Sequence, residues 1–139
     1  MGRALGARVV VSDTVAEKLE HARALGIDAA VAADGSAEAI REITGGGAHV
    51  SVEALGIPAT LKASITCLRP LGRHVQVGMP AGCDGVQLVD VMAIYRGNLA
   101  LFGTRGMPAW RYPSLLSLIA GGGGDLTPLV TRRVALSDT

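Results

Sequence analysis

The stretch Ala7 to Lys18, A-R-V-V-V-S-D-T-V-A-E-K, constrains the fold more than any other part of the chain. A β-branched run from Arg8 to Ser12 stops on Asp13 and turns at once into a helix pattern. Thr14, with Glu17 three residues on, reads as a capping box ahead of Val15, Leu19, Ala22 and Leu25 at helical spacing. A strand apolar on both sides needs covered faces, and an amphipathic helix needs a sheet to lie on. The start of the chain therefore specifies a strand–helix unit of a layered α/β protein.

The same alternation continues. Gly26 ends the first helix, Ala29 to Ala32 is a short strand, and Asp34-Gly35 leads to a second helix from Ser36 with apolar positions Ala39, Ile40 and Ile43. Thr44-Gly45-Gly46-Gly47 closes that helix, and His49 to Leu55 is the next strand, ending on Gly56. Pro58 suits the first turn of a helix through Leu61, Ile65 and Leu68, which Pro70-Leu71-Gly72 breaks. Arg73 to Val77 is a strand ending in Gly78, Asn98 to Phe102 another ending in Gly103, and Tyr112 to Ala120 a helix before the glycines at 121–124.

Apolar strands alternating with helices predict a doubly wound parallel sheet, Rossmann-like and covered on both faces. Its crossovers bring every strand C-terminus to one edge, and ligands of open sheets bind outside that edge. Asp13, Leu55, Val77-Gly78-Met79 and Gly103-Thr104 are expected on it.

Composition narrows the partners. The 139 residues, 49% hydrophobic and 18% charged, suffice for one domain with a core. A net charge of +1 with scattered basic residues, and 3% aromatics, argue against nucleic acid as a partner. No apolar run is long enough to span a bilayer and no signal-peptide core is present, so no membrane partner is expected and the cytoplasm is the expected compartment.

Individual residues carry competing readings. Asp13 is either a ribose-binding acid or the cap of the following helix; because Thr14 supplies a capping hydroxyl, we favour the ribose, which also favours NAD over NADP by repelling a 2′-phosphate. Lys18 by itself reads as a solvated lysine paired with Glu17 or Glu20. Gly45 to Gly47 sit at a helix end, where amides do not converge on an anion, and read as a turn; Gly121 to Gly124 read as a connection. His21, His49 and His74 have no metal-ligand spacing and read as structural or surface residues; Cys67 and Cys83 have no C-x-x-C partner. Glu53, a carboxylate in an apolar strand, is expected to accept hydrogen bonds near the ligand edge rather than act as a base.

Taken together these pieces resemble the cofactor domain of the zinc-containing medium-chain alcohol dehydrogenases. The matching segments are V-V-V-S-D (9–13), E-K-L (17–19), A-R-A-L-G-I-D (22–28), T-G-G-G-A-H-V (44–50) and E-A-L-G (53–56). L-R-P-L-G-R-H-V-Q-V-G-M-P (68–80), L-F-G-T-R-G (101–106) and D-L-T-P-L-V-T-R-R-V-A-L (125–136) continue the pattern, so it covers essentially the whole chain and implies that residues 1–139 are a partial dinucleotide-binding domain. The resemblance implies that Asp13 and Lys18 bind the adenosine ribose of NAD, that Ala54 and Leu55 contact the cofactor, and that Val77, Gly78, Met79, Thr104, Arg105 and Gly106 line the nicotinamide.

It further implies hydride transfer between an alcohol or carbonyl substrate and NAD, with zinc supplied by an N-terminal domain and no metal or catalytic residue in this chain. A homo-oligomer through the strand near Asn98 to Phe102 is implied as well. Alternatives are a zinc-free quinone or enoyl reductase of the same superfamily, a non-catalytic nucleotide-binding or oligomerisation module, and, fitting its turns poorly, a methyltransferase. Met1 precedes the first strand too closely for G-x-G-x-x-G and the strand feeding it. In the order 3-2-1-4-5-6 that strand is central, so the expectation is a fragment with two apolar edges, poorly stable and inactive alone.

Overall fold

The structure is a computed structural model in which residues 2–80, 88–122, 126–130 and 132–138 are described. Cys83, Gly123, Gly124 and Asp125, on which parts of the sequence reading fall, lie outside the described residues.

Among the described residues, five parallel strands alternate with helices in the order β1 (Val10–Asp13), α1 (Ala16–Ala24), β2 (Ala29–Ala32), α2 (Ser36–Thr44), β3 (Ala48–Glu53) and α3 (Pro58–Thr66). They continue with β4 (Leu68–Gln76), α4 (Val91–Gly97), β5 (Ala100–Gly103) and α5 (Tyr112–Ala120). The protein is α/β and Rossmann-like. Its strands do not form one sheet: β1 pairs with β2, and β3, β4 and β5 form a second sheet in that order. Among the described residues no strand lies between β1 and β3, the position that the central strand holds in the order 3-2-1-4-5-6. Helix α2 connects the halves by packing on β2, β3 and α3.

The elements form for local reasons. Pro58 opens α3, and α2 ends on Gly45 in the left-handed conformation, its amide taken by the Arg41 and Glu42 carbonyls. The core is small: Leu61, Ile65, Cys67 and Leu68 from α3 and its exit, with Leu19 on α1 and Ala37 on α2.

Four expectations are corrected. Helix α3 stops at Thr66, and Leu68 already belongs to β4, because Leu68 pairs with Ala48, whose amide donates to the Cys67 carbonyl at 2.9 Å. Pro70-Leu71-Gly72 therefore lies within β4 as an excursion: Ala48 pairs with Leu68 but Val50 with Arg73, and Leu71 takes a positive φ of 63°. Thr14 does not cap α1; the helix begins after Val15, whose amide donates to Asp13 Oδ1 at 2.9 Å. Asn98 belongs not to a strand but to the end of α4, in the left-handed conformation, and α4 itself, capped by Asp90, has no counterpart in the sequence reading. Finally, among the described residues coverage on both faces is not found: Val50 and Val52 are 51% and 62% exposed.

Candidate functional site

Parallel pairing puts Glu53, Gln76 and Gly103 opposite one another at the C-terminal ends of β3, β4 and β5. The turns that follow, Ala54–Gly56, Val77–Met79 and Thr104–Gly106, therefore share one edge. They are also bonded together: the Val77 and Gly78 amides donate to the Glu53 carbonyl at 2.8 and 2.9 Å, and the Thr104 amide to the Gln76 carbonyl at 3.0 Å. Leu55 and Met79 project outward, 63% and 84% exposed, and Ala54, Val77, Thr104, Arg105 and Gly106 are exposed with them.

Glu53 lies beneath this row and is only 3% exposed. Its Oε1 accepts from the Leu55 and Gly56 amides, both at 2.8 Å, and from Thr60 Oγ1 at 2.6 Å. Its Oε2 accepts from the Gly56 amide at 2.9 Å and from Gln76 Nε2. Burial pushes the carboxyl up, but the bonds from Thr60, Gly56, Leu55 and Gln76 outweigh it and hold the group below the ordinary glutamate value. The expectation that Glu53 accepts hydrogen bonds near this edge holds.

Gly56 and Gly78 are needed for contact between the turns. A Cβ on Gly56, whose φ is 84°, would collide with the Met79 carbonyl; one on Gly78 would meet Ala54 and, at 2.7 Å, Glu53 Oε2.

Asp13 ends β1, on the first sheet, and among the described residues no hydrogen bond joins it to the turns of the second. Its Oδ1 takes the Val15 amide and its Oδ2 lies 3.6 Å from Lys18 Nζ. The Val15 amide lowers its carboxyl from the ordinary value, partial burial opposes, and Lys18 lowers it further. Lys18 therefore stands against Asp13, not against Glu17 or Glu20. Carboxylate and ammonium together form a polar clamp of the kind that can receive a diol.

Sequence reasoning did not single out Gln76, Thr60 or the burial of His74, which is 1% exposed. One signal was present: an acid inside a strand demands donors, and Gln76 is the polar residue two positions before the glycine that ends the next strand. Among the described residues no three His, Cys, Asp or Glu side chains could hold a metal ion, so they do not fit a zinc site. No described helix is long and apolar enough to cross a membrane.

A family model described as zinc-binding dehydrogenase matches residues 1–121. The chain belongs to the zinc-binding dehydrogenase family. This is a family of oxidoreductases, and it is the one that the motifs from V-V-V-S-D to L-F-G-T-R-G resemble. Similar proteins include a 2-haloacrylate reductase of Burkholderia sp, 39% identical over 125 residues that make up 86% of this chain and 36% of that protein. An L-threonine 3-dehydrogenase of Saccharopolyspora erythraea is 32% identical, covering 96% of this chain and 39% of that protein. Among solved structures, benzyl alcohol dehydrogenase from Acinetobacter calcoaceticus superimposes with a TM-score of 0.74 at 28% identity, over 84% of this chain and 33% of that one. The chain thus spans well under half the length of these relatives.

Proposed function

We propose that residues 1–139 form the ribose and nicotinamide side of an NAD site, within an oxidoreductase that moves a hydride between an alcohol carbon and NAD. The observation that carries this reading is the Asp13–Lys18 clamp at the C-terminal end of a parallel strand, in a member of a dehydrogenase family. Bound there, NAD would supply the hydride acceptor. Asp13 would accept from the ribose hydroxyls and repel a 2′-phosphate, while Lys18 neutralises the carboxylate and donates to the same sugar. The turns Ala54–Leu55, Val77–Met79 and Thr104–Gly106, exposed except at Gly78, would present main-chain groups to the nicotinamide end and the apolar side chains of Leu55, Val77 and Met79 to its ring.

The test is Asp13→Asn in the full-length gene product, titrated with NAD and NADP. NAD affinity is expected to fall about tenfold, as for loss of a charged acceptor, and the preference over NADP to shrink. Unchanged affinity and preference would refute the ribose role.

A second reading has its own support: the 39% identical relative is a 2-haloacrylate reductase, so reduction of a conjugated carbon–carbon double bond is the competing reaction. Oxidation of cofactor by 2-chloroacrylate, with alcohols inert, would select it. Among the described residues the outer side of β5 is unpaired, which supports a homo-oligomer through this strand, in the region of Asn98 to Phe102.

A further inference from the structure

Beneath the edge runs a chain of buried and half-buried polar groups whose direction can be worked out. Gln76 Nε2 faces the Glu53 carboxylate and, at 2.8 Å, the Gly78 carbonyl. Both are acceptors, so the amide nitrogen belongs there and the amide oxygen faces His74 Nε2 at 3.1 Å. That oxygen requires the imidazole hydrogen on Nε2, which leaves Nδ1 to accept the hydroxyl of Ser64, at 3.0 Å. The order Ser64, His74, Gln76, Glu53, then the Leu55 and Gly56 amides, is a line in which each group donates to the next until the carboxylate, which only accepts.

We propose that Glu53 and Gln76 are positioning residues that fix turns 54–56 and 77–79 as one rigid unit, setting the nicotinamide side of the site without touching the cofactor; this rests on the dinucleotide reading above. Three observations carry it. Glu53 holds its own turn with its side chain and the neighbouring turn with its carbonyl. Gln76 closes the loop by donating both to Glu53 and to Gly78. The turns approach so closely at Gly56, Gly78 and Met79 that neither can move without the other. A carboxylate is needed at 53 because every group facing it is a donor; a glutamine there would turn its own NH2 against one of them. Glu53 is buried and its oxygens are filled, so it has no direction left from which to exchange a proton with a ligand.

The experiment measures two ligands in the full-length gene product: NAD, which spans both sides of the site, and AMP, which uses only the Asp13–Lys18 end. Glu53→Gln is expected to weaken NAD about tenfold, the scale of one charged hydrogen bond, and to leave AMP within about twofold. The exchange Glu53→Gln with Gln76→Glu restores a donor facing an acceptor between the two side chains but turns the new carboxylate toward the Gly78 carbonyl, and is expected to recover only part of the NAD affinity. Should Glu53→Gln not fold, Thr60→Val, which removes one donor and keeps the carboxylate, is expected to weaken NAD about threefold and AMP not at all. NAD and AMP weakening in parallel would overturn the proposal by reducing Glu53 to a stability residue, and so would unchanged NAD affinity. Wild-type protein that binds neither ligand overturns the dinucleotide reading and this proposal with it, whereas wild-type binding of both with unaltered variants overturns this proposal alone.

Discussion

The two faces of the β3–β4–β5 sheet are inverted relative to the usual rule. The face toward α3 and α4 is the more polar one: Ser51 is opposite His74 and Glu53 opposite Gln76, and Ser51, Glu53 and His74 are buried. The opposite face carries Val52, Val75 and Phe102 side by side in register, with Val50 beside them, and Val50, Val52 and Phe102 are largely exposed. The inside tolerates polarity because its donors and acceptors answer one another, Glu53 through Gln76 and His74 through Ser64. The outside is apolar because strands of doubly wound sheets are built for cover on both sides, and among the described residues nothing covers this one. Burial in this protein thus follows satisfied hydrogen bonds as much as hydrophobicity.

The strongest way to break that comparison is to remove the acceptor on which the polar face converges. Glu53→Ala would orphan the Leu55 and Gly56 amides and Gln76, and is expected to cost about 3 kcal/mol in chemical denaturation of the full-length gene product; a cost near zero would mean that the network does not hold the face together. The same group sets an acid limb. Its carboxyl lies lower in the folded chain than the ordinary 4.5, so its contribution is complete above that value and is lost as pH falls through the lower folded value. Glu53→Gln should flatten that limb, measured as denaturation midpoint against pH.

The apolar face gives a smaller, opposite expectation. Val52→Lys in the 139-residue chain should change stability by less than about 0.5 kcal/mol while reducing concentration-dependent association in light scattering. A loss of about 2 kcal/mol would show that the face is covered after all. The smallest effect concerns Cys67, on the buried side: burial pushes its thiol up and its Sγ donates to the Ser64 carbonyl at 3.3 Å. Its reaction with a disulfide reagent should be slow in native protein and fast in denaturant; equal rates would place it at the surface.

Much of the organisation was legible locally. Ala29–Ala32, Ser36–Thr44 and Tyr112–Ala120 form the elements that their patterns predict, because period, caps and glycine stops are properties of neighbours in sequence. Strand-end positions were legible for the same reason, which is why Asp13, Leu55 and Val77 to Met79 fall at strand ends. The misreadings arose where a partner, distant or adjacent, decided between locally plausible patterns. Leu68 continues a helical pattern but pairs with Ala48, and Thr14 suits a cap but Asp13 takes the Val15 amide. Asp90 starts α4 by accepting from Ala93, a signal present in the sequence but uninformative without a helix pattern strong enough to notice.

By itself, then, the order of residues determined the alternation of strands and helices and the parallel sense of the strands, which follow from short-range periodicity and turn chemistry, and it carried the family through the resemblance of its motifs. Tertiary structure alone decided which strands pair, which face is inside, and that Glu53 meets Gln76 from 23 residues away. Those are matters of register: in a parallel sheet a one-residue shift exchanges the two faces, and only the packed chain selects the shift that satisfies every buried donor.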